Sequence, residues 1–188
     1  MKIIGVSGTN GSGKDTVGEL LRDDFGWLLV AVSDLMREEA KKRNLPPERE
    51  VLREISAEWR RKYGLGVWFE KAVEKYNKSK KKYSGLVITN ARNPGEADYI
   101  HKLGGKVVWV DANPKVRFER VTKRARDAES QKDFEHFLAQ EKAEMSHSGD
   151  EATLNMAGVK DKADIFIQNN GNDLAAFKQD VIRALHLN

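Results

Sequence analysis

A glycine-rich run, Gly8-Thr9-Asn10-Gly11-Ser12-Gly13-Lys14-Asp15-Thr16, separates a short β-branched segment from a stretch with helical periodicity. The segment before it, Ile3-Ile4-Gly5-Val6, is typical of a strand, and the apolar residues from 17 to 25 recur at the spacing of one helix face. Glycines in this position let the backbone curl so that successive N–H groups point inward, and the helix adds the positive end of its dipole. The pattern Gly-x-x-x-x-Gly-Lys between a strand and a helix therefore predicts a phosphate-binding loop.

The residues of this loop have separate predicted roles. Lys14 would place its ammonium group on the β- and γ-phosphates of a nucleotide. Asp15 stands where the usual pattern has Ser or Thr, so we predict that it complements the helix N-terminus or reaches Mg²⁺ through water. Thr16 is predicted to contact a phosphate or the water shell of the metal. The candidate residues for binding ATP are Gly8, Asn10, Gly11, Ser12, Gly13, Lys14, Asp15 and Thr16.

Beyond the loop, short apolar runs alternate with amphipathic helical stretches. The runs lie at 27–32, 86–89, 106–110 and 163–167. The helical patterns lie at about 34–43, 48–63, 67–77, 94–103, 114–127 and 131–145. Continuous apolar strands that alternate with helices indicate a parallel sheet covered on both faces. We predict an α/β fold with five parallel strands and helical insertions after strands two and four, with ligands at the carboxyl ends of the strands.

Composition narrows the class of protein. The 188 residues suit one domain, and 39% hydrophobic residues are enough for a core. No apolar run approaches the roughly 18–20 residues that a membrane span needs. The start of the chain has no signal-peptide pattern, so we expect a cytoplasmic protein without a membrane partner. The chain has no cysteine, which excludes disulfides and thiolate chemistry, and its net charge of +4 favours a polyanionic ligand.

The segment after the second predicted strand, Ser33-Asp34-Leu35-Met36-Arg37, adds a second motif to the loop. Together the two resemble the nucleoside monophosphate kinases: the loop is similar to that of adenylate kinase, and the segment is similar to the Asp-Met-Leu-Arg of that family. The resemblance implies a three-layer P-loop NTPase fold with acceptor-binding and lid insertions in one domain. It also implies that Arg37 holds the acceptor's phosphate and that Asp34 lies near the metal and the phosphates.

Residues 47–68 resemble the acceptor-binding arm of deoxynucleoside monophosphate kinases. The similarity lies in Pro47-Glu48-Arg49-Glu50-Val51-Leu52 and in the Val67-Trp68 that follows. It implies that residues of about 34–77 form an acceptor-binding insertion. Arg49 and Arg60 would then contact a phosphate, unless they only keep a helix surface soluble.

The end of the third predicted strand, Thr89-Asn90-Ala91-Arg92, is similar to the Asp-Gly-x-x-Arg or Asp-Gly-x-Arg element of the same kinases. By this resemblance Arg92 is the second clamp on the acceptor's phosphate, a task that suits the planar fork of arginine. Thr89 replaces the aspartate that usually lies beside the metal. Asp34 is therefore the best remaining carboxylate for Mg²⁺, which keeps several waters and leans on substrate phosphates.

Two further segments resemble parts of such kinases. Residues of about 120–157 would form the lid, with Arg120, Arg124 and Arg126 as candidates that close over the phosphates. The stretch 163–172 is similar to the last strand and loop of dephospho-CoA kinases, so Asn170 and Gly171 are expected to border the adenine of ATP. Both segments also have plain interpretations, as a solvated basic helix and as an Asn-Gly turn.

The sequence thus predicts an ATP- and Mg²⁺-dependent kinase that acts on a nucleoside or deoxynucleoside monophosphate. Lys14, Asp34, Arg92 and Arg124 are the predicted catalytic residues, and Asp34, Arg37, Arg49 and Arg92 are predicted to bind the acceptor. Two alternatives remain open, a dephospho-CoA kinase and a non-catalytic, nucleotide-dependent RNA-binding switch. The second is weaker because no aromatic-rich RNA motif is present. The expected partners are small nucleotides, and the chain would be a monomer or a homodimer.

Overall fold

A single parallel sheet forms the centre of the protein. The computed structural model describes residues 2–124, 133–146 and 148–187. Its strands are β1 (Ile3–Gly8), β2 (Leu28–Ala31), β3 (Leu86–Thr89), β4 (Lys106–Asp111) and β5 (Ile165–Gln168). They lie in the order β2-β3-β1-β4-β5, and every neighbouring pair is parallel. The predicted five-stranded parallel sheet is confirmed.

Nine α-helices accompany the sheet within the described ranges. They are α1 (Lys14–Asp23), α2 (Val32–Lys42), α3 (Arg49–Tyr63), α4 (Val67–Asn77), α5 (Pro94–Lys102), α6 (Pro114–Arg124), α7 (Phe134–Met145), α8 (Met156–Asp161) and α9 (Leu174–Ala184). The helical insertions follow β2 and β4, as predicted. The sequence gives no sign of α8, because six residues are too few for periodicity to show. Its start is fixed by the Asn155 side chain, which accepts a hydrogen bond from the Gly158 N–H at 2.8 Å.

Helices cover both faces of the sheet. Alternate residues of a strand point to opposite sides of the sheet, so its apolar side chains pack against helices on each face. In β4, Val107 and Trp109 pack into a core formed with α2, α3, α4, α5 and α8. Val108 and Val110 pack into a second core formed with α1 and α9. The three-layer architecture predicted from the apolar runs is therefore present.

The carboxyl ends of the strands carry the residues of interest. Gly8 ends β1 and enters the glycine-rich loop, while Asp111 ends β4. Arg92 lies three residues after Thr89, the last residue of β3. Within the parts of the chain that the structure describes, no helix is both long and apolar enough to span a bilayer.

Candidate functional site

The glycine-rich loop has a backbone that only glycine adopts easily. Gly11 has φ +79° and Gly13 has φ +98°, both in the left-handed region. A Cβ atom on Gly11 would lie 2.6 Å from the carbonyl oxygen of Arg117, and one on Gly13 would lie 2.5 Å from the Asn169 side chain. The two glycines thus permit both the curl of the loop and its close packing.

The N-terminus of α1 is suited to an anion. Gly13 is the N-cap residue, and no side chain caps the first N–H groups of the helix. The buried Ser12 hydroxyl has no hydrogen-bond partner among the described residues. Unpaired donors at the positive end of a helix dipole favour a phosphate group. The loop therefore fits the polyphosphate of a nucleotide.

Residues from β4 and from the segment after β5 hold the loop in shape. The Thr9 hydroxyl donates to Asp111 Oδ1 at 2.7 Å. Asn169 donates from Nδ2 to the Ser12 carbonyl at 2.8 Å, and its own backbone N–H donates to the Asp111 carbonyl at 2.8 Å. The predicted site residues did not include Thr9, Asp111 or Asn169. Their contacts join segments that are far apart in the sequence, so no local motif indicates them.

Arg120 links α6 to the segment that follows β5. Its Nη1 donates to the Asn169 carbonyl at 2.9 Å, and its Nη2 donates to the Gly171 carbonyl. Asn170 Oδ1 accepts a hydrogen bond from the Asn113 N–H at 2.6 Å. The structure thus brings Arg120, Asn170 and Gly171, all predicted to bind ATP, to one side of the glycine-rich loop.

Replacing Asn169 with alanine tests the support of the loop. The Ser12 carbonyl would lose its partner, so we expect the free energy of unfolding to fall by about 1–3 kcal/mol. ATP should also bind more weakly, because the loop is less well held. Chemical denaturation and calorimetry measure the two effects. Asn172→Ala, an exposed change three residues away, is the control, and equal effects of the two changes would contradict the role of Asn169.

Three guanidinium groups, here called the arginine cluster, converge on one carboxylate. They belong to Arg49 and Arg53 of α3 and to Arg92 of the loop after β3. Glu144 Oε1, on α7, accepts hydrogen bonds from Arg49 Nη2 and from Arg53 Nη2, the latter at 3.2 Å, and lies 3.6 Å from Arg92 Nη1. Arg49 and Arg92 were predicted to bind the acceptor, whereas Arg53 and Glu144 were not.

The electrostatics of this group favour an anion. Burial alone would raise the pKa of Glu144, but the charges of the arginine cluster and of Lys14 together hold that pKa below its ordinary value. Burial lowers the pKa of Arg92, and its two arginine neighbours lower it further while Glu144 opposes them. Four positive charges thus act on one carboxylate, and the excess attracts further negative charge.

The loop that carries Arg92 is held by a buried ion pair. Glu96 Oε2 accepts hydrogen bonds from the backbone N–H groups of Arg92, at 2.7 Å, and of Asn93, at 3.1 Å. Its Oε1 accepts from Arg60 Nη2 at 2.7 Å, and Arg60 Nη1 donates to the Ala152 carbonyl at 3.1 Å. Arg60 and Glu96 are both buried. Arg60, a candidate phosphate contact in the sequence, is thus engaged by Glu96 and by a backbone carbonyl.

The turn after β3 explains part of the sequence motif. Asn90 has φ +69°, in the left-handed region. It stands at the position of the glycine in the Asp-Gly element that this segment resembles. Asparagine tolerates this conformation better than most residues. Thr89, which replaces the usual aspartate, is buried.

The remaining predicted residues lie in several places. Asp34 and Arg37 form an exposed ion pair with each other, with Arg37 Nη1 2.7 Å from Asp34 Oδ1. Asp15 and Thr16 lie in the first turn of α1. The Arg124 side chain and the lid residues 125–132, which include Arg126, lie outside the described residues.

The oxygen donors for a metal are few. Thr16 and Asp34 are the predicted ligands of Mg²⁺, and a hydroxyl and a carboxylate are suitable donors for this ion. Within the described ranges, no group of three or more acidic or histidine side chains could hold a metal ion by itself. The residues present fit Mg²⁺ only as a partner of substrate phosphates, which is its usual mode of binding.

Comparison with solved structures places this geometry in a known class of fold. The whole chain aligns with TT1252 from Thermus thermophilus, with 98% of that chain covered, a TM-score of 0.62 and 21% identity. The shikimate kinase of Bacteroides thetaiotaomicron aligns over 99% of both chains, with a TM-score of 0.58 and 16% identity. The gluconokinase of Sinorhizobium meliloti covers 98% of this chain and 91% of its own, with a TM-score of 0.54 and 16% identity. The parallel sheet and the glycine-rich loop thus define an α/β protein with a P-loop kinase-like fold.

Sequence comparisons give the family. A family model described as an AAA domain matches residues 4–145. A UPF0200 protein of Pyrococcus abyssi is 31% identical over 183 residues, which are 95% of this chain and 92% of the relative. A UPF0200 protein of Methanothermobacter thermautotrophicus is 31% identical over 147 residues, or 77% and 73% of the two chains. The chain belongs to the UPF0200 family, and the predicted P-loop kinase-like fold is confirmed.

Proposed function

We propose that this protein is an ATP-dependent kinase that transfers the γ-phosphoryl group to a nucleoside or deoxynucleoside monophosphate. The observation that carries the proposal is the arginine cluster, which lies beside the glycine-rich loop. One small cavity is lined both by Thr9 and Asn10 of the loop and by Arg49 and Glu144. A site for the donor's phosphates and a site for a second anion are therefore neighbours, as phosphoryl transfer between two phosphates requires.

The residues of the chain supply positioning and charge. The loop amides and Lys14 hold the ATP phosphates, and the arginine cluster holds the acceptor's phosphate, with Arg37 as a further predicted contact. Thr16 and Asp34, together with the phosphates, would hold Mg²⁺, which would supply charge neutralisation. A phosphate oxygen of the acceptor bonds to the γ-phosphorus as the bond to the β–γ bridging oxygen breaks, and ADP leaves. No general base is needed, because that oxygen is already ionised.

A second candidate is a kinase with a hydroxyl acceptor. Two proteins of similar fold are named shikimate kinase and gluconokinase. The acceptors in these names, shikimate and gluconate, are carboxylic acids that carry hydroxyl groups. Glu144 shows that a carboxylate fits the arginine cluster. Dephospho-CoA is a hydroxyl acceptor that also carries phosphates. In each of these cases a base is required, and Asp34 is the predicted one.

A coupled assay of ADP release tests the proposal and separates the candidates. The acceptors are the nucleoside and deoxynucleoside monophosphates, dephospho-CoA, shikimate and gluconate. Arg92→Ala removes a charged contact to the acceptor, so we expect a loss of about 1.5–3 kcal/mol of transition-state stabilisation. This loss corresponds to a fall in kcat/KM of roughly ten- to a hundredfold. Arg22→Ala is the matched control, because Arg22 is exposed and its ion pair among the described residues is with the adjacent Asp23.

Two results would contradict this function. The first is that no monophosphate is turned over while shikimate, gluconate or dephospho-CoA is, which would favour the hydroxyl acceptor. The second is that Arg92→Ala and Arg22→Ala have the same activity, which would remove the acceptor role of the arginine cluster.

A further inference from the structure

Glu144 occupies a position that resembles that of a bound ligand. A single oxygen, Oε1, is shared by all three guanidinium groups of the arginine cluster. In the described part of the chain, Arg49 and Arg53 form no ion pair other than with this carboxylate. Guanidinium groups that converge in this way on one oxygen form the usual environment of a phosphate.

Glu144 and Arg49 border the small cavity beside the glycine-rich loop. The cavity between the glycine-rich loop and α7 measures about 20 Å³, roughly the room for one water molecule. Phe137, Met145 and Met156 line the rest of it. A phosphate oxygen that takes the place of Oε1 between the three guanidinium groups must therefore displace the Glu144 carboxylate.

We infer that the arginine cluster, with Arg53 included, is a phosphomonoester subsite and that Glu144 is an internal ligand which the incoming phosphate displaces. This inference rests on the proposed function, because it assigns the acceptor's phosphate to this place. Displacement is favourable on charge grounds, since a phosphate dianion carries twice the charge of the carboxylate into a site with four positive neighbours. The carboxylate keeps the guanidinium groups together until the acceptor arrives.

Glu144→Gln gives the direct test, because it keeps the size of the side chain and removes the charge. We expect the Kd for inorganic phosphate, from NMR titration at constant ionic strength, to fall about tenfold, as for a site whose competent state rises from about a tenth to nearly all of the protein. The gain should vanish in Glu144→Gln/Arg53→Ala, which places it at the arginine cluster and not at the glycine-rich loop. Glu135→Gln removes a charge from an exposed position of the same helix and should change nothing.

A second anion distinguishes displacement from simple repulsion. If phosphate displaces Glu144, removal of the carboxylate strengthens every anion by the same factor, so the Kd for acetate falls as much as that for phosphate. If Glu144 stays beside the bound anion and repels it, the dianion gains more than acetate, and the inference is wrong. An unchanged or raised Kd for phosphate in Glu144→Gln also overturns it.

A second variant serves if Glu144→Gln fails to fold. Glu144→Asp shortens the reach of the carboxylate by one methylene group, and a smaller gain in phosphate affinity is expected; no gain would count against displacement.

Two further outcomes keep this inference separate from the proposed function. If Glu144→Gln binds phosphate more tightly but no acceptor is turned over, the proposed function fails alone. If monophosphates are turned over with an unchanged KM in Glu144→Gln, this inference fails alone.

Discussion

Replacing Arg60 with alanine is expected to lower the free energy of unfolding by about 3–5 kcal/mol, the usual cost of leaving one member of a buried ion pair without its partner. Arg60 and Glu96 are 4% and 0% exposed, so water cannot replace the lost contact. The Ala152 carbonyl would lose its donor as well. Equilibrium unfolding in urea measures the change.

The neighbouring residue provides the control. Arg61 also pairs with a carboxylate, Asp150, at 2.7 Å, but both side chains are about half exposed. Exposed pairs contribute about 0–1 kcal/mol, so Arg61→Ala should have little effect. If Arg60→Ala is no more destabilising than Arg61→Ala, the buried pair does not hold this part of the fold.

The same substitution should weaken anion binding. Glu96 accepts the backbone N–H groups of Arg92 and Asn93, and Arg60 holds Glu96 in that position. Without Arg60 the turn that directs Arg92 loses its anchor, and a displacement of about 1 Å at a binding group is enough to cost much of its effect. Arg60 is thus a positioning residue, which acts through Glu96.

The fold was predictable because its signals are local. Each strand contains a short run of mostly apolar residues, and the glycine-rich loop marks the junction of β1 and α1 directly. Alternation of strands and helices then limits the topology to a parallel sheet. The helix boundaries differ from the predictions by a few residues, as for α2, which begins at Val32 rather than at 34. The short α8 was missed.

The site was only partly predictable, because its missing members act across the chain. Glu144 lies 91 residues from Arg53 and 95 from Arg49. No periodicity or motif indicates that a glutamate of α7 faces α3, and a glutamate on a polar helix is normally solvated. The spacing of Arg49 and Arg53, four residues apart, places both on one helix face and was the one available signal for Arg53.

Lys14→Ala is expected to abolish most phosphoryl transfer. Removal of one preorganised charge from a site where negative charge develops costs about 2.7–4 kcal/mol, or a factor of 10²–10³ in kcat. Lys14 follows Gly13 at the start of α1, so its ammonium group adds to the amides and the helix dipole at the same place. The coupled ADP assay measures the loss, with Lys115→Ala as the control because Lys115 is exposed on α6.

The kinetic constants separate two meanings of this loss. A lysine that binds the ground state and the transition state equally well would raise the KM for ATP and leave kcat unchanged. We expect kcat to fall instead, since negative charge develops on the leaving β–γ bridging oxygen as its bond to the γ-phosphorus breaks. The charge of Lys14 also acts at the arginine cluster, where it helps to lower the pKa of Glu144. Loss of this charge should therefore weaken the attraction of the cluster for an acceptor anion as well. If Lys14→Ala keeps the kcat of Lys115→Ala with every acceptor that is turned over, the glycine-rich loop does not hold the phosphoryl donor.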